Sequence, residues 1–435
     1  MTVADQGMAI GLRALRTVAG LPMLDRAGLR EPAERALFQL TKNGFRAAGT
    51  AGRAFARVNR AGKPVRQRTG ERRDLFDLTP TDEQRMILDA LRDFAGARLR
   101  PIAQDADAGC APPESLAGEG AELGLATLGV PEELGGAMSE RSSVTGVLAA
   151  EALAHGDMGL AVSLLAPAGV ATALARFGDA TQQATYLPAF TGDAPAPAAI
   201  AVLERGALFD PFAPKTTARR ERGGWTIDGE KALVPLASTA DLLIVAAGTD
   251  AGPALFVVET ATAGVEYRPA PAMGVRAAAT GTVALRGVSV PRDALLCSDA
   301  DYVEAITRSR LGWCALAAGC SLAVLDYVIP YVNERKAFGE PISHRQAVAF
   351  AVADMAIEVE GMRLTTYRAA SRLDQGKDAV HATAIARRLS ADKGMAVGSQ
   401  GVQLLGGHGY VKEHPVERWY RDLRATAVME GAVMV

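Results

Sequence analysis

The hydrophobic period of this chain changes twice, and that change restricts the fold more than any other feature of the sequence. Residues 194–291 read as extended. Trp225 and Ile227 alternate with Thr226, and residues 242–247, 254–258 and 282–290 are short apolar runs between Gly and Pro breaks. Asp228-Gly229 carries a hairpin-turn signal. On both sides the period is helical. Residues 82–98, 113–125, 149–165 and 171–177 precede the extended stretch. After it, Trp313, Ala317, Cys320, Val324, Tyr327 and Tyr331 recur at spacings of three and four, as do Val348, Val352, Met355, Val359 and Met362. The expected fold is mainly α with an inserted β-domain. The expected boundaries are a basic N-terminal extension at 1–74, a helical domain at 75–192, a small antiparallel β-domain at 193–296 and a C-terminal helical bundle at 297–435.

A chain of 435 residues is long enough for two or three domains. The net charge of −2 points to no nucleic-acid partner, but it is unevenly distributed. Residues 1–73 hold 15 Lys and Arg against 5 Asp and Glu, so a basic arm precedes an acidic body. The arm reads as a poorly packed extension, as a contact for an acidic partner or anionic membrane surface, or, more weakly, as a transit segment interrupted by Glu31 and Glu34. No secretory signal is evident, and the expected location is cytoplasmic. The four cysteines lack Cys-x-x-Cys spacing and read as reduced thiols. The uncharged run 311–325 is too short to span a bilayer and reads as a buried bundle helix. The five histidines have no metal-ligand spacing, so no metal is expected, and no Gly-x-Ser-x-Gly elbow suggests a hydrolase.

The chemistry concentrates near the C-terminal end. Gly406, Gly407 and Gly409 end a helical pattern, Pro415 opens a charge-dense run, and Glu430 follows among Val428, Met429 and the apolar stretch 432–435. One reading of Glu430 is a solvent-facing carboxylate at a helix end. The other is a general base whose apolar surroundings raise its proton affinity.

Gln403-x-x-Gly406-Gly407-x-Gly409-Tyr410, Pro415-x-Glu417-Arg418-x-x-Arg421-Asp422 and Glu430-Gly431 resemble the C-terminal signature of the flavin-dependent acyl-CoA dehydrogenases. Leu78-Thr79-Pro80-Thr81, Val130-Pro131-Glu132-Glu133-Leu134-Gly135-Gly136 and Asn333-Glu334-Arg335-Lys336-Ala337-Phe338-Gly339 extend the likeness over most of the chain. It implies a helical domain, a β-domain and a four-helix bundle. It also implies FAD as cofactor, an acyl-CoA substrate, a trans-2-enoyl-CoA product and an electron-transfer flavoprotein as acceptor, within fatty-acid β-oxidation. By the same resemblance Glu430 removes the α-proton, and its amide, with Gly431, lies at the thioester. Arg310 would sit near the base; its alternative is an ion pair or solvated charge. One branch of the family carries its base in a Glu-Arg-Leu context, which here is Ser309-Arg310-Leu311. Arg335, Phe338, Gln346, Gln403 and Gly407 match positions lent to a neighbouring subunit's FAD, which implies a homodimer or homotetramer.

The β-domain departs from the family pattern. The usual Thr-Glu-Pro-x-Ala-Gly-Ser-Asp is Leu203-Glu204-Arg205-Gly206-Ala207-Leu208-Phe209-Asp210, and Trp-Ile-Thr is Leu233-Val234-Pro235. Hydroxyls expected at the flavin are replaced by apolar side chains, and Pro235 has no N–H. Two alternatives therefore stand beside the dehydrogenase: a flavin-poor accessory subunit of a hetero-oligomer, and a flavin oxidase or monooxygenase on the same scaffold.

Overall fold

The computed structural model describes residues 80–136, 142–192 and 194–435. The basic arm, and every reading of it, lies outside the described residues. The first helical layer opens at α1 (Asp82–Phe94), capped by Thr81 and Gln84, whose side chains each bond the other's backbone N–H. One π-turn (Ala95–Leu99) carries α1 into α2 (Arg100–Gly109), so this helical run is longer than expected. Cys110 ends it with φ 53°. After α3 (Leu116–Glu122) come α4 (Ser143–Gly156) and α5 (Met158–Phe177). The break expected between 165 and 171 falls instead at Asp157. Its carboxylate caps α5 through the Leu160 N–H, whereas Pro167 is accommodated inside the helix. A short helix, α6 (Ala180–Tyr186), closes the layer.

Eight strands follow: β1 (Ala198–Ala201), β2 (Thr217–Arg220), β3 (Gly224–Val234), β4 (Leu242–Thr249), β5 (Gly252–Glu259), β6 (Val265–Pro269), β7 (Gly281–Pro291) and β8 (Leu295–Ser298). They form one sheet in the order β6-β7-β3-β2-β4-β5-β8, with β1 also on β4. Most pairings are antiparallel, but β1 and β2 both run parallel to β4. Asp228-Gly229 is not a turn. It lies inside β3 at a register shift against β7, and Asp228 accepts the Gly287 N–H at 2.7 Å. A Cβ on Gly229 would stand 2.4 Å from Thr216 Oγ1, so glycine here serves close strand approach.

The bundle consists of α7 (Asp299–Glu334), α8 (Gln346–Asp374), α9 (Val380–Leu405) and the short α10 (Val416–Leu423). By length and composition α5 and α7 could each cross a membrane. In the fold α5 is buried from Met158 to Ala175, and α7 buries Leu311 to Cys320 against its neighbours. Successive long helices run antiparallel. The C-terminal end of α7, the start of α8 and the end of α9 therefore share one end of the bundle.

The charge-dense run is a clasp between domains. Arg418 meets Asp157 at 3.0 Å with both side chains buried. Arg421 grips both oxygens of Asp107 at 2.9 Å, and Asp422 accepts the Val275 N–H at 2.6 Å. One short helix thus pins the bundle to α2, to α5 and to the chain entering β7.

Candidate active site

Glu430 reaches its place through a tightly fixed backbone. Gly431 has φ 75°, and a Cβ there would stand 2.9 Å from the Ile200 carbonyl oxygen. The Gly431 carbonyl accepts from Ser309 Oγ at 2.9 Å and Trp313 Nε1 at 2.8 Å, while Ala432 N donates to Ile200 O at 3.0 Å. Strand β1 and helix α7 together hold the residue after the carboxylate.

The Glu430 side chain is 8 % exposed, so it does not face open solvent. Nor are its surroundings simply apolar. Arg310, from α7, donates Nε to both carboxylate oxygens at 3.0 Å and Nη2 to Oε1 at 2.8 Å. Arg387, from α9, donates Nη2 to Oε1 at 3.2 Å and to the Met429 carbonyl at 2.6 Å. The expectation of apolar neighbours misses these two cations, which hold the carboxylate by charge-assisted hydrogen bonds. The Arg310 guanidinium also lies 5.6 Å from the centre of the Phe212 ring.

A cleft of about 630 Å³ opens from Glu430 and Arg387 towards the β-domain. Leu203, Leu208, Phe209, Leu233 and Val428 form its apolar lining, with Arg205 and Glu204 at the β-domain side. Pro235, two residues along the chain from Leu233, is buried. Leu208 has φ 57° and Leu233 φ 50°, so two apolar residues hold left-handed backbone beside the cleft. Leu208 stands where the family pattern has glycine, and the turn survives the substitution. Behind this wall Lys231 and Glu204 form a buried ion pair at 2.7 Å. Glu204 also accepts the N–H groups of Lys215 and Thr216. Burial pushes the Lys231 ammonium down to about 8, against the pull of Glu204.

Arg335, Phe338, Gln346, Gln403 and Gly407 form a second, separate constellation. They occupy the shared bundle end, and all five are exposed. Phe338 is 97 % exposed with φ 55°, and Arg345 lies against its ring. Along α7, Arg310 and Arg335 are roughly 37 Å apart; along α9, Arg387 and Gln403 are roughly 24 Å apart. The structure therefore brings Arg310, Glu430 and Gly431 together and leaves the other five at a distance.

Sequence reasoning missed Arg387, Phe212 and the Glu204–Lys231 pair. A signal for Arg387 exists: it shares a helix face with Thr383, Ser390 and Gly394, a small-residue stripe where a cation has no solvent to face.

Residues 81–193, 199–288 and 301–435 match the family models for the N-terminal, middle and C-terminal domains of acyl-CoA dehydrogenase. A cyclohex-1-ene-1-carbonyl-CoA dehydrogenase of Geobacter metallireducens is 33 % identical over 362 residues, 81 % of this chain and 95 % of that one. The solved butyryl-CoA dehydrogenase of Megasphaera elsdenii superposes with a TM-score of 0.75 at 28 % identity, covering 82 % of this chain and 96 % of its own. PigA in complex with FAD gives 0.75 at 25 % identity, with coverage of 81 % and 95 %.

Proposed function

The chain belongs to the acyl-CoA dehydrogenase family, FAD-dependent oxidoreductases acting on the CH–CH bond of acyl-CoA, and from that premise we propose that it oxidises a short acyl-CoA to the trans-2-enoyl-CoA with Glu430 as base. The observation that carries this reading is the placement of the Glu430 carboxylate, fixed by Arg310 and Arg387, at the end of the cleft. A thioester α-proton is weakly acidic, so its removal needs a positioned acceptor and donors for the enolate oxygen. The Glu430 amide N–H bonds nothing among the described residues and supplies one such donor.

The residues of the cleft fit a flavin. Leu203, Phe209 and Leu233 give it an apolar wall that suits a planar ring. When bound, the flavin supplies the acceptor for the β-hydride, which no side chain can provide. Arg335 stands roughly 37 Å from Arg310 along α7, so we read the set of Arg335, Phe338, Gln346, Gln403 and Gly407 as serving the cofactor of a neighbouring copy. Phe350, Ile357 and Leu364 line one exposed stripe of α8, which suits packing against that copy. Electrons then leave to an electron-transfer flavoprotein.

A short acyl group is favoured by the segment behind Glu430. A Cβ on Gly312 would stand 2.9 Å from Val433 Cγ2, one on Gly169 3.0 Å from Met434 N, and one on Gly146 3.0 Å from Val435 Cβ. Residues 432–435 thus fill the groove between α4, α5 and α7, leaving little depth beyond the base. The likeness to a butyryl-CoA dehydrogenase agrees with this. The test is turnover across acyl lengths by wild type and Glu430→Gln. The variant should lose at least about 100-fold, given the ~10²–10⁴-fold usual for acid–base catalysis. Smaller losses would remove Glu430 from the role, and a preference for long chains would remove the short-acyl assignment.

A second reading rests on Leu203, Phe209 and Pro235, which offer the flavin no side-chain hydrogen bond. It is a flavin-poor subunit that lends its Arg335 constellation to a related partner.

A further inference from the structure

The two arginines on Glu430 are not equivalent. Oε1 receives three N–H contacts: Arg310 Nε at 3.0 Å, Arg310 Nη2 at 2.8 Å and Arg387 Nη2 at 3.2 Å. Oε2 receives one, from Arg310 Nε at 3.0 Å. Arg387 Nη2 also holds the Met429 carbonyl at 2.6 Å, so a single nitrogen ties the backbone before the base to one of its oxygens. The Arg387 side chain is 14 % exposed, and its Nη1 is buried without a hydrogen-bond partner among the described residues. A cation in such a position loses hydration that one shared nitrogen does not fully replace. Burial duly pushes the guanidinium down, with Glu430 pulling the other way.

We infer that Arg387 is a positioning residue that loads Oε1 and leaves Oε2 to take the substrate proton. The inference rests on the reading of Glu430 as the base. In the step itself the α-C–H bond breaks and an O–H bond forms at Oε2. The electron pair of the broken bond passes into the enolate, so the negative charge moves from carboxylate to substrate. The new acid keeps a carbonyl oxygen at Oε1, which still accepts from both arginines. Only the single Arg310 Nε contact at Oε2 has to yield. Protonation at Oε1 would disturb three contacts. Without Arg387, Oε1 keeps two contacts against one at Oε2, so the difference between the oxygens shrinks, the Met429–Glu430 backbone loses its tether, and the carboxylate can rotate.

The test uses the flavin-loaded enzyme with an acyl-CoA whose β-carbon is replaced by sulfur, so that no hydride leaves and only α-proton exchange into D2O is read by NMR. Arg387→Met should slow exchange at saturating analogue by about 100-fold, the loss that a misplacement of about 1 Å can cause. Analogue affinity, flavin content and melting temperature should stay close to wild type. Arg387→Lys should recover part of the rate, because an ammonium can still donate to Oε1. In flavin-free protein, the infrared difference between wild type and Glu430→Gln gives the carboxylate stretches of Glu430. Their splitting should narrow in the Arg387→Met background as the difference between the two oxygens shrinks. Wild-type exchange, or an unchanged splitting, in Arg387→Met would overturn the assignment. Exchange that persists in Glu430→Gln would instead overturn the base reading itself. Where Arg387→Met does not fold, a wild-type exchange rate and splitting in Arg387→Lys overturn the inference, and a partial loss of both supports it.

Discussion

Arg418 and Asp157, 261 residues apart in sequence, meet at 3.0 Å with neither side chain more than 7 % exposed. This pair, with Arg421–Asp107 and Asp422–Val275, gives the charged run after Pro415 its role: it joins three parts of the fold and stays away from Glu430.

Breaking that pair from one side leaves a buried charge without its partner. Arg418→Met should therefore destabilise the protein by about 3–5 kcal/mol, the cost typical of removing one member of a buried ion pair. Asp157→Asn in the same background should recover much of the loss, since the orphaned carboxylate is then neutral. Thermal unfolding of the two variants beside wild type decides this. A double variant no more stable than Arg418→Met would show that Asp157 is not the residue left in distress.

The same clasp makes stability depend on pH. Burial, with Asp157 nearby, raises the Asp422 carboxyl to about 8, and burial raises Asp157 as well. A carboxyl raised in the folded state binds protons more readily there than in the unfolded chain. The stability this confers is full at low pH and is lost as pH rises from the ordinary carboxylate range through about 8. Wild type should thus lose melting temperature between pH 6 and about 9. Asp422→Asn keeps an acceptor for the Val275 N–H but cannot ionise, so its loss should be smaller. Parallel curves for the two proteins would assign the pH dependence to other groups.

What the sequence could and could not convey follows from the range of the interactions. The helical and extended periods are local, and they placed α7, α8 and the strands well. Asp228-Gly229 misled because a glycine required for close approach to Thr216 has the same local signature as a turn. The α4–α5 break at Asp157 was missed although its cap on the Leu160 N–H is local; the apolar period runs through it, and its Arg418 partner lies far along the chain. Glu430 was read from the motif that carries it and Arg310 from the Ser309-Arg310-Leu311 context, and the structure places the two side by side. Arg387 was missed although its small-residue helix face marks a buried cation, because the carboxylate it meets is 43 residues away.

The cleft predicts weak flavin retention. Leu203, Phe209 and Pro235 stand where hydroxyls would bond the cofactor, and each missing neutral hydrogen bond costs about 0.5–1.5 kcal/mol. Two or three such losses weaken binding by roughly one to three powers of ten. Protein purified after expression alone should hold less than one flavin per chain, and Leu203→Thr with Pro235→Thr should raise that content. A full, tightly held complement in wild type would show that backbone donors replace the missing side chains. It would also remove the flavin-poor reading.

The separation of the two constellations predicts complementation between chains. A Glu430→Gln chain lacks the base but keeps Arg335, Gln346 and Gln403 for its neighbour. An Arg335→Glu chain keeps the base but lends a defective clamp. Each homo-oligomer should be impaired, the first in proton abstraction and the second in cofactor retention. In a mixed dimer with two-fold symmetry, the site holding the intact base is clamped by the intact Arg335 of the other chain, and both defects fall together in the second site. Co-expressed and doubly tagged hetero-oligomers should then regain activity at one of every two sites. If Arg335 served the cofactor of its own chain, each site would carry one defect, and the mixed species would be as impaired as its parents. The roughly 37 Å that α7 places between Arg310 and Arg335 makes the first outcome the expected one.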